Sequence, residues 1–598
     1  IHEHNALAGI ELCYNGMNGP NHLSHEVPMG PAHLPVASFS YDPVQARRMN
    51  KSDIRNLRRW HRSAALRAKA AGFDLIYVYA AHALSALHYF LSRRHNDRTD
   101  EYGGSLENRV RLLKEVIEDT KDAVGDTCAV PVRISVDEFL GEAGLHRAEA
   151  EDAIGLLADL PDLWDLTVAS WENDSKTSRF AEEGHQEQFI CGVKKLTSKP
   201  VVGVGRYTSP DAMVRAINKG IIDLVGAARP SIADPFLPKK IEEGRLEDIR
   251  ECIGCNICVS GDFTSSPIRC TQNPTMGEEW RKGWHPERVR PAQSDKNVLI
   301  VGAGPAGLEC AQTLGKRGYA VTVAEAGTEL GGRVARESKL PGLSAWIRVR
   351  DYRALQLHKL DNVSVYFDSR LTADQVIEYG FSRIVIATGS HWRKDGVGHF
   401  HLRPMKVHPD ARVCSPDDLM AGRRPAGKRV LVWDDDHYYM AGVLAELLSA
   451  EGYEVTYVTP ADAVSIWTRA TLEQRQIQKR LLGLGIKIVL QRAITDIGEN
   501  DVGLSCVYSG REERAQTDAV VLVTSRLPDE DLATELVERR PEWNDAGIES
   551  VTAIGDALAP ATIAHAVYAG RRYAEELDAP SVGDAVPFRR ELAGLASI

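Results

Sequence analysis

No stretch of this 598-residue chain carries the 18 or more apolar residues of a membrane span, so a transmembrane protein is not expected. Basic charge is not in excess: Lys and Arg number 72 against 83 Asp and Glu, for a net charge of −11. That balance speaks against nucleic acid or an anionic membrane as the main partner. Cysteine is sparse, at 10 residues, and much of it is gathered in one run. Such usage excludes a disulfide framework and fits a reducing compartment, here read as cytoplasmic. No signal peptide is visible, and the first residues, I-H-E-H-N-A-L, lack an initiator Met. The apolar fraction of 43% and charged fraction of 26% are ordinary for globular protein. The length calls for about two to four domains.

What is present starts with that run. Cys252, Cys255 and Cys258 stand in E-C-I-G-C-N-I-C, and Cys270 follows in P-I-R-C-T-Q-N, giving C-x2-C-x2-C-x11-C. Three thiolates on one tight loop and one from further along suit the corners of an iron–sulfur cube. Zinc competes for any four-cysteine site, though more often through two separated C-x2-C pairs. A disulfide reading is weaker still. A 4Fe–4S cluster moves electrons singly, so the pattern predicts a redox enzyme that collects electrons and passes them on.

From Ile1 to about Arg250, short apolar runs alternate with amphipathic stretches. The runs are A-G-I-E-L near Ile10, Phe73–Tyr79, Val130–Val136, Leu163–Val168, Pro200–Gly205 and Ile222–Gly226. Helical patterns such as Ser105–Ala123 and Pro210–Lys219 lie between them. This alternation predicts parallel strands with crossover helices. Six such units predict an α/β fold, a (β/α)8 TIM barrel lacking its first two units, because a six-strand remnant would leave edges that a barrel abolishes. On the usual barrel size, roughly 90 residues would precede Ile1. G-V-G-R-Y (Gly203–Tyr207) and G-A-A-R-P (Gly226–Pro230) follow the last two strands. Barrels commonly build phosphate sites there from loop amides and a basic side chain. Plain turn glycines and surface arginines are the alternative. Tyr79 and His82 in Y-V-Y-A-A-H, and Trp171 and Asp174 in W-E-N-D, each follow a strand, at the mouth where barrel chemistry sits.

After a polar linker, N-V-L-I-V-G-A-G-P-A-G-L-E reads as strand, G-x-G-x-x-G and helix. Gly302 makes the turn, Gly304 admits a pyrophosphate, and Gly307 lets helix and strand pack. Glu325 ends the next strand, placed for a ribose hydroxyl. Gly331, Gly332, I-V-I-A-T-G (Ile384–Gly389) and A-I-G-D (Ala553–Asp556) complete the look of a disulfide-reductase module. A vestigial module holding nothing is the alternative. A second strand, in K-R-V-L-V-W-D-D-D-H-Y-Y-M (Lys428–Met440), has Trp433, Asp434, Asp435, Asp436 and His437 where glycines should stand. Carboxylates at a helix N-terminus repel a pyrophosphate, so no NAD(P) binding is expected there. The expected order is a barrel over 1–250, a cluster segment over 251–290, and a Rossmann-like module over 291–425 and 520–598. A degenerate module is inserted at 426–519.

The run N-D-R-T-D-E-Y-G-G-S-L-E-N-R (Asn96–Arg109) resembles the signature of the old yellow enzyme family of FMN-binding barrels. That resemblance implies FMN, with Gly203 and Gly205 allowing close backbone approach and Arg206 and Arg229 pairing its phosphate. Arg133 would lie beside the flavin ring, where a cation favours the anionic reduced form. The segment C-I-G-C-N-I-C…C-T-Q-N-P-T-M-G-E-E-W-R-K-G-W-H-P-E resembles the trimethylamine, dimethylamine and histamine dehydrogenases, and the match continues through essentially the whole chain. These are barrel flavoproteins with a 4Fe–4S cluster and a C-terminal region that holds ADP rather than FAD. Their Tyr–His–Asp triad over the flavin matches Tyr79, His82 and Asp174. Asp174 would hold the His82 tautomer and His82 would polarise the Tyr79 hydroxyl, favouring the neutral amine whose lone pair forms an iminium. Trp171 matches one wall of the aromatic bowl that binds methylated ammonium by cation–π attraction.

Asp262, in C-V-S-G-D, stands where trimethylamine dehydrogenase has a second bowl Trp. A carboxylate suits a substrate with a second charged or hydrogen-bonding group, so the resemblance points to the histamine dehydrogenase variant. The implied reaction deaminates a small amine, histamine foremost, to an aldehyde and ammonia. Electrons pass from FMN through the cluster to an electron-transferring flavoprotein, which docks at a surface tyrosine matched by Tyr352 in R-D-Y-R. Glu251 replaces a Val before the first cluster cysteine. The covalent flavin cysteine would lie ahead of Ile1, and Cys13, Cys128 and Cys191 are read as core thiols. A homodimer is also implied. The alternatives are an NAD(P)H-dependent enoate or 2,4-dienoyl-CoA reductase, a trimethylamine or dimethylamine dehydrogenase, and a non-catalytic carrier or scaffold.

Overall fold

The computed structural model describes residues 1–37 and 41–579. They fall into two compact units, Ile1–Lys176 with Ala181–Ala228, and Thr177–Phe180 with the chain from Arg229 onward. The end of the segment expected at 520–598 lies outside the described residues.

The first unit is built on six parallel strands, one at each predicted run. They are β1 (Gly9–Leu12), β2 (Leu75–Ala80), β3 (Pro131–Ser135), β4 (Leu163–Thr167), β5 (Val201–Gly203) and β6 (Leu224–Val225), and they pair in sequence order. Helices α1 (Lys51–Ala70), α2 (Leu106–Val124), α3 (Arg147–Leu157) and α4 (Pro210–Asn218) make four of the crossovers. Local chemistry sets their starts. Asn50 and Asp53 form a capping box on α1, Ser105 caps α2, and Ser209 caps α4 just before a proline at the first helical position. Alternation along the strands then separates two faces. Val78, Val132, Ile134, Trp164 and Leu166 are fully buried on one. The register aligns Tyr79 with Arg133 and Arg133 with Asp165 on the other, and pairs Ser135 with Thr167 at the strand ends.

Two expectations are corrected in this unit. A small sheet of Met29–Gly30, Leu34–Pro35 and Gln45–Arg48 precedes α1, packed on Met17, Val36, Ala46 and Tyr89, and its strands are too short to show a periodicity. Cys13 and Cys191 are exposed and Cys128 is half-buried, so none of them is a core thiol.

The second unit carries two five-stranded parallel sheets. In the first, β7 (Val298–Val301) lies between β8 (Val321–Ala324) and Arg383–Ile386, and all four residues of β7 are buried. Such both-face burial explains its unbroken V-L-I-V sequence. In the second, Arg429–Asp434 lies between Glu454–Val458 and Ala519–Val523. Helix α5 (Ile257–Thr264) follows the cysteine loop and α6 (Pro305–Arg317) follows β7. Thr177–Phe180 packs in this unit although its chain neighbours belong to the other. Arg179 pairs with Glu446, and Ser178 bonds the Ile253 and Gly254 carbonyls.

Candidate active site

Tyr79 and His82 come together just past β2. The phenol oxygen lies 2.5 Å from His82 Nδ1, and both side chains are buried. His82 adopts φ 57, a left-handed conformation unusual outside glycine, and its N–H donates to Ser135 Oγ at 2.8 Å. On the far side of the imidazole stands a residue the sequence did not single out. Thr167 Oγ1 lies 2.9 Å from His82 Nε2 and donates to Asp174 Oδ1 at 2.7 Å. His82 Nε2 also approaches Asp174 Oδ2 directly at 3.5 Å, a longer contact than the one it makes with Thr167. Gln186 Nε2 also donates to Asp174 Oδ1, at 2.6 Å. Burial pushes the Asp174 carboxyl up, but its bonds from His82, Gln186 and Thr167 outweigh this and hold it well below the usual carboxylate range. Burial, with Glu11 and Cys13 nearby, pushes the Tyr79 phenol well above its ordinary value. Trp171 opens the helical turn Trp171–Asp174 and is half-buried.

Arg133 is on the same strand face as Tyr79, as expected, but two carboxylates share its charge. Its Nη1 meets Glu11 at 3.0 Å, and its Nε and Nη2 grip Asp165 Oδ2 at 2.8 and 2.7 Å. Burial raises both carboxyls, Glu11 and Asp165. Gly203 and Gly205 have packing reasons of their own. A Cβ on Gly203 would lie 2.6 Å from Ile222 and 2.7 Å from Ile190, and Gly205 has φ +152 beside Gly184 and Gln186. Arg206 is buried at φ 60, with Nε donating to Ala181 O at 3.1 Å. Just ahead of α4, Glu183 accepts from Thr208 N and Ser209 N.

In the second unit, Cys252, Cys255, Cys258 and Cys270 line one small cavity with Arg229 and Thr271. Gly254 at φ 65 and Asn256 at φ 56 turn the loop so that the three near cysteines face inward. Gly254 N donates to Cys252 Sγ at 3.4 Å, and Thr271 Oγ1 lies 3.2 Å from Cys255 Sγ. Burial pushes the Cys258 thiol up to about 12 and Cys270 up to about 11, so these thiols ionise when a metal takes the proton's place. Among the described residues no group of three or more His, Cys, Asp or Glu side chains is set to hold a metal ion. Arg229 bonds Asn256 Oδ1 at 2.7 Å, facing the cysteine loop. Asp262 is exposed on α5, and Glu251 pairs with Arg348 at 2.7 Å. Tyr352 is not the surface tyrosine expected: it is buried, with the Arg250 guanidinium 5.1 Å above its ring.

Gly302, Gly304 and Glu325 face a cavity of 610 Å³ shared with Gly332, Arg333, Arg526 and Asp556. Gly302 turns at φ 104, and a Cβ there would lie 2.4 Å from Ala387 O. A Cβ on Gly307 would lie 2.0 Å from Gly302 O, whereas at Gly304 nothing stands within 4 Å. Glu325 accepts from Ala303 N at 2.8 Å and from Gly327 N at 2.7 Å, which ties the strand end to the glycine loop. Asp556 Oδ2 accepts from Arg333 at 2.9 Å and Arg526 at 2.6 Å, and Arg526 lies 5.4 Å over Trp392. At the degenerate loop Asp434 and Asp435 are turned inward, while Asp436 is half-buried. Asp434 accepts from His437 N at 2.9 Å and from Tyr457, and Asp435 accepts from Phe400 N at 3.0 Å. Tyr438 and Tyr439 stack edge-on at 4.6 Å immediately before the helix Met440–Ala450.

A parallel β/α unit with site residues at its strand ends, followed in the chain by a G-x-G-x-x-G module, fits a flavin-dependent oxidoreductase. The family described as NADH:flavin oxidoreductase / NADH oxidase matches residues 1–248. Pyridine nucleotide-disulphide oxidoreductase matches 294–432, and the OYE-like second alpha/beta domain matches 414–523. Dimethylamine dehydrogenase of Hyphomicrobium sp. (strain x) is 39% identical over 632 residues, covering 99% of this chain and 85% of its own. Histamine dehydrogenase from Rhizobium sp. 4-9 superimposes at TM-score 0.97 with 57% identity, over 99% of this chain and 86% of that one. The 6-hydroxypseudooxynicotine amine oxidase from Pseudomonas geniculata N1 does so at 0.93 with 51% identity, over 96% and 86%. The chain belongs to the family of flavin-dependent amine dehydrogenases that includes dimethylamine and histamine dehydrogenase, and it is an oxidoreductase acting on amines. No described helix is long and apolar enough to cross a membrane.

Proposed function

We propose that the protein oxidatively deaminates a small primary amine, histamine foremost, to an aldehyde and ammonia, and passes the electrons to an external carrier such as an electron-transferring flavoprotein. The observation that carries this reading is the buried chain Tyr79–His82–Thr167–Asp174 at the strand ends of a flavin-family unit. FMN would supply two-electron acceptance and a 4Fe–4S cluster one-electron transfer. The residues fit both groups. Arg206 offers a guanidinium beside Gly205 for the FMN phosphate, and Arg133 lies on the strand face that would meet the ring. Four thiols facing one cavity and spaced C-x2-C-x2-C-x11-C suit a polynuclear group more than a single zinc.

At the amine site, the depressed Asp174 carboxylate only accepts hydrogen bonds, so the Thr167 hydroxyl donates to it and accepts from His82 Nε2–H. His82 Nδ1 then accepts the Tyr79 proton, which leaves the phenol oxygen electron-rich toward a substrate N–H. As the Tyr79 proton passes on to His82 Nδ1, the phenol oxygen takes one from an alkylammonium, so the positive charge comes to rest on the imidazole and the nitrogen lone pair is free for iminium formation. Trp171 offers a π face to the ammonium form, and the family resemblance gives Asp262 a role toward the substrate's distal, basic end. In the second unit, Gly304 and the N-terminus of α6 suit a pyrophosphate. The Arg333 and Arg526 guanidiniums suit the terminal phosphate of ADP more than a flavin ring. We also read the chain as a barrel, a cluster segment and two nucleotide-type modules that assemble as a homodimer.

Anaerobic titration of the holoenzyme with histamine and with trimethylamine, followed by flavin bleaching, tests the assignment. Reduction by histamine that weakens in Asp262→Asn supports it. Reduction by trimethylamine alone would make Asp262 incidental, and reduction by NADPH alone would replace the amine reading with an enoate-type reductase. Iron and acid-labile sulfide near four each per chain are expected, and zinc in their place would remove the cluster from the scheme.

A further inference from the structure

The hydroxyl of Thr167 is a group in the amine site that the family resemblance did not bring forward, and it lies between His82 and Asp174. Thr167 is 1% exposed and ends β4, directly in register with Ser135 on β3. Three side chains meet it or its neighbours in a fixed order. Gln186 and Thr167 both donate to Asp174 Oδ1, at 2.6 and 2.7 Å, and His82 Nε2 stands 2.9 Å from Thr167 Oγ1. A hydroxyl has one proton. With that proton committed to a carboxylate, the oxygen offers His82 only lone pairs. The neutral imidazole therefore carries its hydrogen on Nε2, and Nδ1 is left as the acceptor that faces Tyr79 at 2.5 Å. Asp174 Oδ2 stands 3.5 Å from the same ring nitrogen, so of the two contacts on Nε2 the one with Thr167 is the shorter.

We propose that Thr167 is a positioning residue that sets the direction of the whole relay, so that Tyr79 donates inward and turns its oxygen lone pairs toward the amine. The proposal rests on the amine-oxidation reading above. It adds that the carboxylate acts through a hydroxyl and that the methyl group of Thr167 is dispensable. In a chain directed the other way, His82 would present Nδ1–H to Tyr79. The phenol would then accept from the ring and point its own proton at the substrate nitrogen, hydrogen-bonding the lone pair that the reaction needs.

The test compares Thr167→Val, which keeps the shape and removes the hydroxyl, with Thr167→Ser, which keeps the hydroxyl and removes the methyl. Each is prepared as holoenzyme and mixed anaerobically with the amine that reduces the wild type. The limiting rate of flavin bleaching should fall about 10- to 100-fold in the valine variant, the range for losing an outer-shell partner that orients a functional group. The apparent dissociation constant of the amine should move less than about threefold, because binding leans on other groups. The serine variant should recover to within about threefold of wild type. Equal impairment of both variants would reduce Thr167 to a packing role, and an unimpaired valine variant would overturn the proposal outright. Should the valine variant fail to load flavin, Thr167→Ala against Thr167→Ser makes the same comparison. His82→Gln separates the two levels: if it too reduces flavin at the wild-type rate, the relay reading itself fails. If only the Thr167 variants are silent, the relay stands and the threonine is incidental.

Discussion

Two glycines three positions apart at the start of α6, Gly304 and Gly307, should fail in opposite ways when changed to alanine. At Gly307 the new Cβ would stand 2.0 Å from Gly302 O and 3.1 Å from its carbonyl carbon. Ordinary contact needs about 3.4 Å or more, so α6 and the end of β7 would have to separate by roughly 1 Å. Backbone has no rotamer with which to yield, so the cost belongs at the upper end of overpacking, about 3 kcal/mol. For a unit of this size that is a fall of roughly 4 °C in melting temperature. At Gly304 the new Cβ meets nothing within 4 Å, and its φ of −75° suits alanine. The fold should hold to within about 0.5 kcal/mol. The methyl would enter the 610 Å³ cavity at the helix N-terminus, where a pyrophosphate must approach the amides. Nucleotide retention should fall about tenfold or more. Calorimetry separates the two effects when nucleotide released by acid is also counted. A Gly304→Ala protein that keeps stoichiometric ADP would refute the use assigned to the cavity. A Gly307→Ala protein that melts with the wild type would refute the packing argument.

Other outcomes follow from buried charge. Arg353 is fully buried, with Nε on Glu309 at 2.8 Å and Nη1 on Gln272 at 3.0 Å, two residues beyond Cys270. Glu309→Leu should cost about 3–5 kcal/mol by stranding that guanidinium. Cluster absorbance should be lost at a correspondingly lower temperature in a thermal scan. The partly buried Asp436 carboxyl is pushed up to about 6, first by burial and then by Asp434. Between about pH 4 and pH 6 the folded chain binds more protons there than the unfolded one, so stability falls as pH rises through that window. Asp436→Asn should therefore melt higher than wild type above pH 6, by about 2 kcal/mol of stability, and match it near pH 4. A constant difference across pH would refute that origin.

Much of the protein was legible in one dimension because its signals are local. Six apolar runs bounded by turn residues became six strands, and a cysteine array compact enough to share one loop became four thiols around one cavity. Tyr79 and His82 are three residues apart at a strand end, so their meeting needed no knowledge of the rest of the chain. The misreadings share a cause. Tyr352 was placed at the surface, yet nothing in R-D-Y-R says that Arg250, 102 residues earlier, covers its ring. The three aspartates after Trp433 looked like a barrier to phosphate. Only the fold brings Tyr457 and Phe400 to Asp434 and Asp435 and turns those two carboxylates inward.

The sequence by itself determined the elements, their order and the chemistry of the groups they carry, because strand alternation, glycine turns and thiol spacing act over a few residues. The tertiary structure decided which groups act together. Thr167 is an ordinary β-branched strand residue until β2 and β4 are set on the same sheet and its hydroxyl falls between a histidine 85 positions away and an aspartate 7 positions on. Hydrogen-bond direction depends on that three-body arrangement, which no pairwise spacing along the chain encodes.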